Sequence, residues 1–455
     1  MLKRKIEKYL EKWKEKSDKK ALCIVGARQI GKTTVARHFG KKHYKQVIEI
    51  NFIENPEAHD IFMHDLTAEN LVLNLTAYLR KPIFPGETLL ILDEIQECPQ
   101  ARTAIKFLVQ DARMDIIETG SLLGVKEKDV VSFPVGFEER IQMYPLDFEE
   151  FLWAMQLPEA TFTLLKECYK TKNAPTQAVH NVMMRLFYSY LVVGGMPEVV
   201  QKYVDSQDIA QVVSIQEAIL DLYRQDISKY AKYNEKLRIK DIFDSIPAQL
   251  DSKNNRFKLS YIDKNARMNR YENSFLWLQE AGVALACYNT KTPCYPLILN
   301  EKRNLFRLYL NDTGLLCAAI GNVQYDLLQG NTELNSGSIL ENMFGQALAS
   351  KNLNLYYYDS KSKNIELDFV VEQNRKIDIL EIKSGKDYKK HRALDKALEE
   401  DWDIHQAIVF SKYPLEKTDR ILYLPFYMIL FYADQGEDKP MIWKVDLSDL
   451  YKEES

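Results

Sequence analysis

Residues 21–39 read ALCIVGARQIGKTTVARHF: a short apolar run, a loop holding two glycines, and then a stretch with helical spacing. Positions 26–33, G-A-R-Q-I-G-K-T, fit the phosphate-loop pattern G-x-x-x-x-G-K-S/T at each fixed position, between a strand and a helix as the pattern requires. Gly26 and Gly31 let backbone N–H groups curl around phosphate oxygens, and a helix starting near Lys32 points the positive end of its dipole at them. The loop from Gly26 through Ala27, Arg28, Gln29, Ile30 and Gly31 to Lys32, Thr33 and Thr34 is therefore the candidate nucleotide cradle. In such a cradle Lys32 reaches the β- and γ-phosphates and Thr33 holds Mg²⁺, which makes ATP with Mg²⁺ the expected cofactor pair.

Working outward, LLILDE at 89–94 buries four apolar residues and delivers Asp93 and Glu94 at a strand tip. Asp93 suits the Mg²⁺ shell, and Glu94 suits orienting or deprotonating the attacking water. IIETGS at 116–121 ends in Thr119 and Ser121, small hydroxyl residues suited to sensing a γ-phosphate or to a turn or N-cap. Three arginines compete as a finger: Arg140, which closes the nucleotide domain, Arg28 in the loop and Arg113; an exposed structural role is the plain alternative for each. VIEINF at 47–52 adds another strand, and strands separated by helical stretches predict a parallel sheet covered on both faces.

The motifs GARQIGKTT, INF, LLILDEIQ, TGS, YPLDFEEFL, VVGGMPEVV and RLYLNDTGLL occur in order and resemble a widespread family of bacterial and archaeal AAA+ ATPases. Those proteins join an AAA domain to a C-terminal domain of unknown function with a restriction-endonuclease-like fold. The resemblance implies that architecture and ATP binding.

The expected organisation is α/β: a helix over 1–20, a P-loop NTPase (AAA+) domain over 21–145, a helical connector over 146–235, a winged helix over 236–300, a linker over 301–335 and a restriction-endonuclease-like domain over 336–455. In the first segment Ile6, Tyr9, Leu10 and Trp13 recur at helical spacing among lysines. The winged helix rests on the order KLRIKDIFDSI, KLSYIDKNA, RYENSFLWLQEAG, VALACY and CYPLIL, with Lys264, Arg267 and Arg270 free for groove or phosphate contacts and Trp277 and Leu278 in the core. A protein-contact role fits that module equally.

In the last domain ELDFVV and ILEIK place Asp368, Glu381 and Lys383 on successive strands. Residues two apart on a strand share a face, so Glu381 and Lys383 project together, and Asp368 meets them if the strands pair. Two carboxylates fix a divalent cation and the lysine stabilises developing charge or activates water, the chemistry of the PD-(D/E)xK nucleases, whose spacing is similar. Glu341, on the helix SILENMFGQAL, matches the acidic position that often completes such sites, so Glu341, Asp368 and Glu381 are the candidate metal ligands there. Lys383, Lys386, Lys389, Lys390, His391 and Arg392 could track a phosphate backbone, or simply form a solvated Lys-rich helix face.

Composition narrows the partners. Lys plus Arg number 61 against 65 Asp plus Glu, for a net charge of −4, so the whole chain is no polycation and DNA binding must be local. Six scattered cysteines without a C-x-x-C pair, and a charged N-terminus without an apolar signal core, predict a cytoplasmic chain with reduced thiols. ILYLPFYMILFYA at 421–433 is too short to span a membrane and is broken by Pro425, so it reads as a buried strand and then a buried helix. The histidines lack ligand spacing, and no structural zinc is expected. Two functions compete: an ATP-driven, DNA-directed enzyme, and a nucleotide-dependent switch that binds nucleic acid or a protein partner without cleaving; a homo-oligomer is a separate candidate assembly.

Overall fold

A computed structural model describes residues 1–120, 134–252, 256–329, 336–434 and 444. Ser121 lies outside the described residues. Five strands, β1 (Ala21–Val25), β2 (Gln46–Asn51), β3 (Thr88–Asp93), β4 (Asp115–Gly120) and β5 (Glu138–Gln142), form a sheet in the order β2-β3-β4-β1-β5 with every neighbouring pair parallel. Alternation divides the side chains between two faces. Leu89 and Ile91 pack with Val35 and Phe39 of α2 (Lys32–His43), and Leu10 and Trp13 of α1 (Ile6–Lys14) close the same core. Leu90 and Leu92 point the other way, to Leu71 and Leu75 of α3 (Ala68–Leu79) and Ala101 and Ile105 of α4 (Pro99–Asp111). Each of the leucine, isoleucine, valine and phenylalanine side chains stabilises the fold by about 1.5–3 kcal/mol when fully buried.

Strand β5 has no apolar run to announce it, because EERIQ is an edge strand whose charges sit in ion pairs or solvent. Five helices follow: α5 (Phe148–Ala154), α6 (Glu159–Thr171), α7 (Gln177–Val193), α8 (Pro197–Ser206) and α9 (Ile209–Tyr230). Then come α10 (Lys236–Leu250), α11 (Met268–Glu280) and the antiparallel hairpin of β6 (Ala284–Thr290) with β7 (Glu301–Leu310). KLSYIDKNA makes only a 3₁₀ turn at Leu259–Tyr261, and Asp263 offers the backbone an alternative to a helix there, its Oδ1 accepting from Asn265 N at 2.8 Å.

The expected linker over 301–335 is corrected by its own hydrogen bonds. Its first ten residues are β7, and α12 (Thr313–Ile320) and α13 (Gln324–Leu328) follow. After α14 (Gly337–Ser350), strands β8 (Tyr356–Ser360), β9 (Ile365–Gln373), β10 (Lys376–Lys383), β11 (Ile404–Ser411), β12 (Glu416–Lys417) and β13 (Ile421–Pro425) join the hairpin in one sheet, β12-β13-β11-β10-β9-β8-β6-β7. The Lys-rich segment after β10 is a loop as far as His391, and only Arg392–Ala397 is helical, as α15. Phe426–Phe431, after β13, is a buried 3₁₀ helix.

The halves meet at a buried polar hub. Asp312 caps α12 by accepting from Leu315 N at 3.0 Å, and accepts from Gly195 N at 2.6 Å. Gly195 O accepts from Leu146 N at 2.7 Å, and Leu146 O accepts from the Tyr190 hydroxyl at 2.7 Å. Gln346 of α14 donates to that hydroxyl at 3.0 Å and accepts from Thr313 N at 3.0 Å. A side chain at Gly195 would set its Cβ 1.9 Å from Leu146 O, inside backbone that cannot yield. Gly195→Ala is therefore expected to cost about 1–3 kcal/mol through overpacking. A lower urea midpoint by circular dichroism checks this, and an unchanged midpoint would contradict the hub as described.

Candidate functional site

The phosphate loop leaves the C-terminal end of β1 and enters α2 with Gly31 as N-cap at φ 90°. Gly26, at φ 139°, passes so close to Met143 that an added Cβ would lie 2.3 Å from its carbonyl oxygen, so only glycine fits. Arg4, ahead of α1, donates from Nη1 to Ile30 O at 2.8 Å and from Nη2 to Tyr144 O at 2.7 Å, and pairs with Glu150 at 3.1 Å. A buried guanidinium thus fixes the loop from below. Ala27 and Ile30 are buried, Gln29 and Thr34 are exposed, and Arg28 is half-buried.

Lys32 is buried and donates to Gly26 O at 2.9 Å and Ala27 O at 2.7 Å, so its ammonium is held at the loop's mouth. Burial lowers its pKa to about 8; Glu94 and Asp93 oppose the shift and Arg28 adds to it. Asp93, at the tip of β3, gathers the hydroxyls: Oδ1 accepts from Thr33 at 2.8 Å and from Thr119, and Oδ2 accepts from Asn51 at 2.9 Å. Hard oxygen donors from Thr33 and Asp93 suit Mg²⁺. Glu94 follows in the left-handed region at φ 51°, strain of about 1–2 kcal/mol for a residue with a side chain, and accepts from Gln96.

The three arginine candidates separate. Arg113 pairs with Asp111 before β4 begins, at the end of the sheet away from Asp93, and Arg140 pairs with Glu138 on the edge strand. Arg28 alone stays at the loop, paired with Asp226 at 2.6 Å. Asn51, Arg4 and Asp226 escaped the sequence reading. Of these, only Asn51 left a signal, inside the quoted INF.

In the C-terminal half β9 and β10 pair antiparallel, which brings Asp368 beside Glu381. Asp368 Oδ2 accepts from Ile382 N at 2.8 Å, and Lys383 Nζ reaches Glu381 Oε2 at 2.8 Å. Glu381 is 2% exposed, and its Oε1 is buried with no hydrogen-bond partner. Burial, with the Asp368 charge beside it, pushes this carboxyl up to about 8. An orphaned carboxylate oxygen beside a second carboxylate fits a cation. Glu341 is drawn aside, because Arg307 of β7 pairs with it at 3.2 Å and with Glu366 at 2.7 Å. Among the described residues, the group of three or more His, Cys, Asp or Glu whose ligand atoms lie within 4.8 Å of one another is Cys23, Glu118 and Glu138, not Glu341, Asp368 and Glu381. In that buried group Arg102 pairs with Glu138 at 2.9 Å, and burial drives the Glu118 carboxyl up to about 8.

Of the basic residues after β10, Lys386 and Arg392 are exposed, while Lys389 pairs with Glu416 at 2.8 Å and Lys390 with Asp387 at 3.0 Å. His391 leaves the surface set: it is buried, with Nε2 2.7 Å from the Tyr423 hydroxyl. Lys264, Arg267 and Arg270 are exposed at the start of α11, and Trp277 and Leu278 are buried.

Residues 18–152 match the AAA domain family, residues 184–326 match a domain of unknown function (DUF8612), and residues 336–427 match another (DUF4143). No curated protein matches the chain. Among solved structures, the Walker-type ATPase PABY2304 of Pyrococcus abyssi is 13% identical with a TM-score of 0.42, over 70% of this chain and 96% of that one. The Aeropyrum pernix Orc1 protein, solved in complex with DNA, is 12% identical with a TM-score of 0.28, over 72% and 91%. The Thermotoga maritima RuvB Holliday junction branch migration motor is 13% identical with a TM-score of 0.28, over 61% and 87%. The chain carries an AAA-type P-loop ATPase domain, and no helix among its described residues is long and apolar enough to cross a membrane.

The Lys32 environment sets a pH dependence. A polyphosphate bound at the loop would stabilise the ammonium and raise its pKa above the free value of about 8. Below about pH 8 Lys32 is charged with or without nucleotide, so affinity is level; above it, binding must take up a proton. ADP affinity by calorimetry should fall by up to about tenfold per pH unit between about pH 8.5 and 9.5, with proton uptake. A level profile across that range would contradict the assignment.

Proposed function

We propose that this protein is a Mg²⁺-dependent ATPase whose cycle governs a metal-dependent phosphodiester-cleaving site in its C-terminal domain, acting on DNA. The Asp93 carboxylate supports the ATPase half most directly, because it gathers Thr33, Asn51 and Thr119 beside a buried Lys32. Lys32 leaves the loop carbonyls for the β- and γ-phosphates, and the P-loop amides hold the phosphate oxygens. Glu94 orients a water and takes its proton as the oxygen bonds the γ-phosphorus, and the β–γ bridging oxygen leaves with ADP. Thr33 and Asp93 would hold Mg²⁺, which when bound neutralises charge on the β- and γ-oxygens.

The orphaned Glu381 oxygen beside Asp368 and Lys383 supports the second half. Asp368 and Glu381 would hold the cation, which when bound polarises the scissile phosphate. Lys383, paired with Glu381 at 2.8 Å, would stabilise charge on the attacked phosphate. A helix α14 followed by antiparallel β8, β9 and β10 and then parallel β11 supports the restriction-endonuclease-like reading of this domain. The order α10, α11 and the β6–β7 hairpin favours a winged helix, with exposed Arg267 and Arg270 for the DNA backbone.

One observation favours a second reading. Arg307 pairs with Glu341, so the three acidic side chains do not converge, which suits a nucleotide-dependent switch that binds without cutting.

Purified protein incubated with supercoiled or linear DNA, Mg²⁺ or Mn²⁺ and ATP distinguishes the two. The expected result is cutting lost in Asp368→Ala, and ATP turnover lost in Glu94→Gln with ATP binding retained. No cutting under any metal or nucleotide, with turnover intact, would replace the nuclease by the switch. Equal turnover in Glu94→Gln and the natural chain would remove Glu94 from the reaction.

A further inference from the structure

Arg28 lies on the crest of the phosphate loop, yet its side chain is directed at a helix 198 residues further on. Its Nη1 meets Asp226 Oδ1 at 2.6 Å, its carbonyl accepts from the Tyr223 hydroxyl at 3.3 Å, and its guanidinium stands 6.0 Å from the Tyr230 ring centre. Tyr223, Asp226 and Tyr230 are spaced to lie along one face of α9, so that face is fitted to this arginine. The pair is not a solvated surface contact. Asp226 is 9% exposed and Arg28 is 23% exposed, so the two charges attract through less water than at an open surface.

The neighbours of this pair belong to the reaction. Asp226 lies close enough to Glu94 for the two charges to repel, and Arg28 lies close enough to Lys32 for the two cations to repel. Glu94 and Lys32 flank the position that a γ-phosphate takes in a cradle of this kind. A terminal phosphate arriving there competes with Asp226 for the guanidinium and carries more charge than the carboxylate. ADP brings no such group.

We infer that Arg28 is a γ-phosphate-responsive arginine supplied by the chain itself, held in reserve by Asp226 until ATP binds. This rests on the ATPase reading above. In the waiting state Arg28 belongs to α9. Once ATP is bound it moves to the γ-phosphoryl oxygens and supplies positive charge where negative charge builds in the transition state. Leaving Asp226 also releases that end of α9. Three turns earlier on the same helix, Gln216 Nε2 donates to Val192 O at 2.9 Å and Val193 O at 3.0 Å, next to the Gly194–Gly195 turn of the hub. Arg28 therefore reads the third phosphate, and α9 carries the reading toward the C-terminal half.

The test compares full-length protein with Arg28→Ala, Arg28→Lys and Asp226→Asn, each measured for ADP and ATP affinity with Mg²⁺ and for steady phosphate release. Arg28→Ala should lose about a hundredfold in turnover and most of its preference for ATP over ADP, with ATP affinity falling far more than ADP affinity. Arg28→Lys should recover part of the turnover. Asp226→Asn keeps a hydrogen bond but removes the charge that restrains Arg28, so turnover should rise severalfold and ATP should gain over ADP.

Unchanged turnover and ATP preference in Arg28→Ala would overturn the inference, and so would slower turnover in Asp226→Asn. Loss of ADP binding in both Arg28 variants would make the residue a structural part of the loop, which also overturns it. If the natural chain bound ATP and ADP but hydrolysed neither, the ATPase reading would fall, and the ATP-over-ADP preference would still decide the role of Arg28.

Discussion

The Asp312 carboxylate is fully buried, and backbone N–H groups rather than a cation surround it: Gly195 N at 2.6 Å on one side and the first turn of α12 on the other. Such a group costs free energy unless its lone pairs are satisfied, so the two backbones that satisfy it must stay together. Gly195 belongs to the turn that opens α8, whose first residue, Pro197, packs beside Gly31 of the phosphate loop. Thr313, next to Asp312, is held by Gln346 of α14, the helix that also carries Glu341. A contiguous path therefore runs from the P-loop through the Gly194–Gly195 turn to the helix beside the C-terminal carboxylates. Beyond the packing of Pro197 on Gly31, the path is made of buried hydrogen bonds, which have few alternative arrangements.

The second sheet adds a further constraint. The β6–β7 hairpin, which follows α10 and α11, is hydrogen-bonded through β6 to β8, so it shares one sheet with the C-terminal strands. Arg307 on that hairpin reaches Glu341 and Glu366, and its guanidinium stands 4.5 Å from the Tyr357 ring centre. The electrostatics around Asp368 and Glu381 thus depend on a residue contributed by the preceding module. Removing the hairpin would expose a sheet edge and take the Arg307 charge away from Glu341 and Glu366.

What could be read from the sequence follows the range of each interaction. The phosphate loop was legible because its chemistry lies within eight consecutive residues, and Asp93 because four apolar residues announce the strand that carries it. Arg4 and Asp226 were not, since their partners Ile30 and Arg28 lie 26 and 198 residues away and nothing local marks the pairing. Strand β5 was hidden by its charges. Strand β7 was hidden because its first half, from Glu301, is polar and only its second half, FRLYL, is buried. Glu381 and Lys383 were legible from the two-residue strand period, whereas the arginine that intercepts Glu341 comes from the segment read as a linker.

Hydrogen–deuterium exchange of the full chain with Mg²⁺ and either ADP or a non-hydrolysable ATP analogue tests the coupling most directly. The account predicts that the third phosphate changes protection not only in the loop and around Asp93 and Glu94 but also along α9, at Gly194–Gly195 and at the start of α12. A difference confined to the loop and the Asp93–Glu94 turn, with α9 and the hub unchanged, would contradict it.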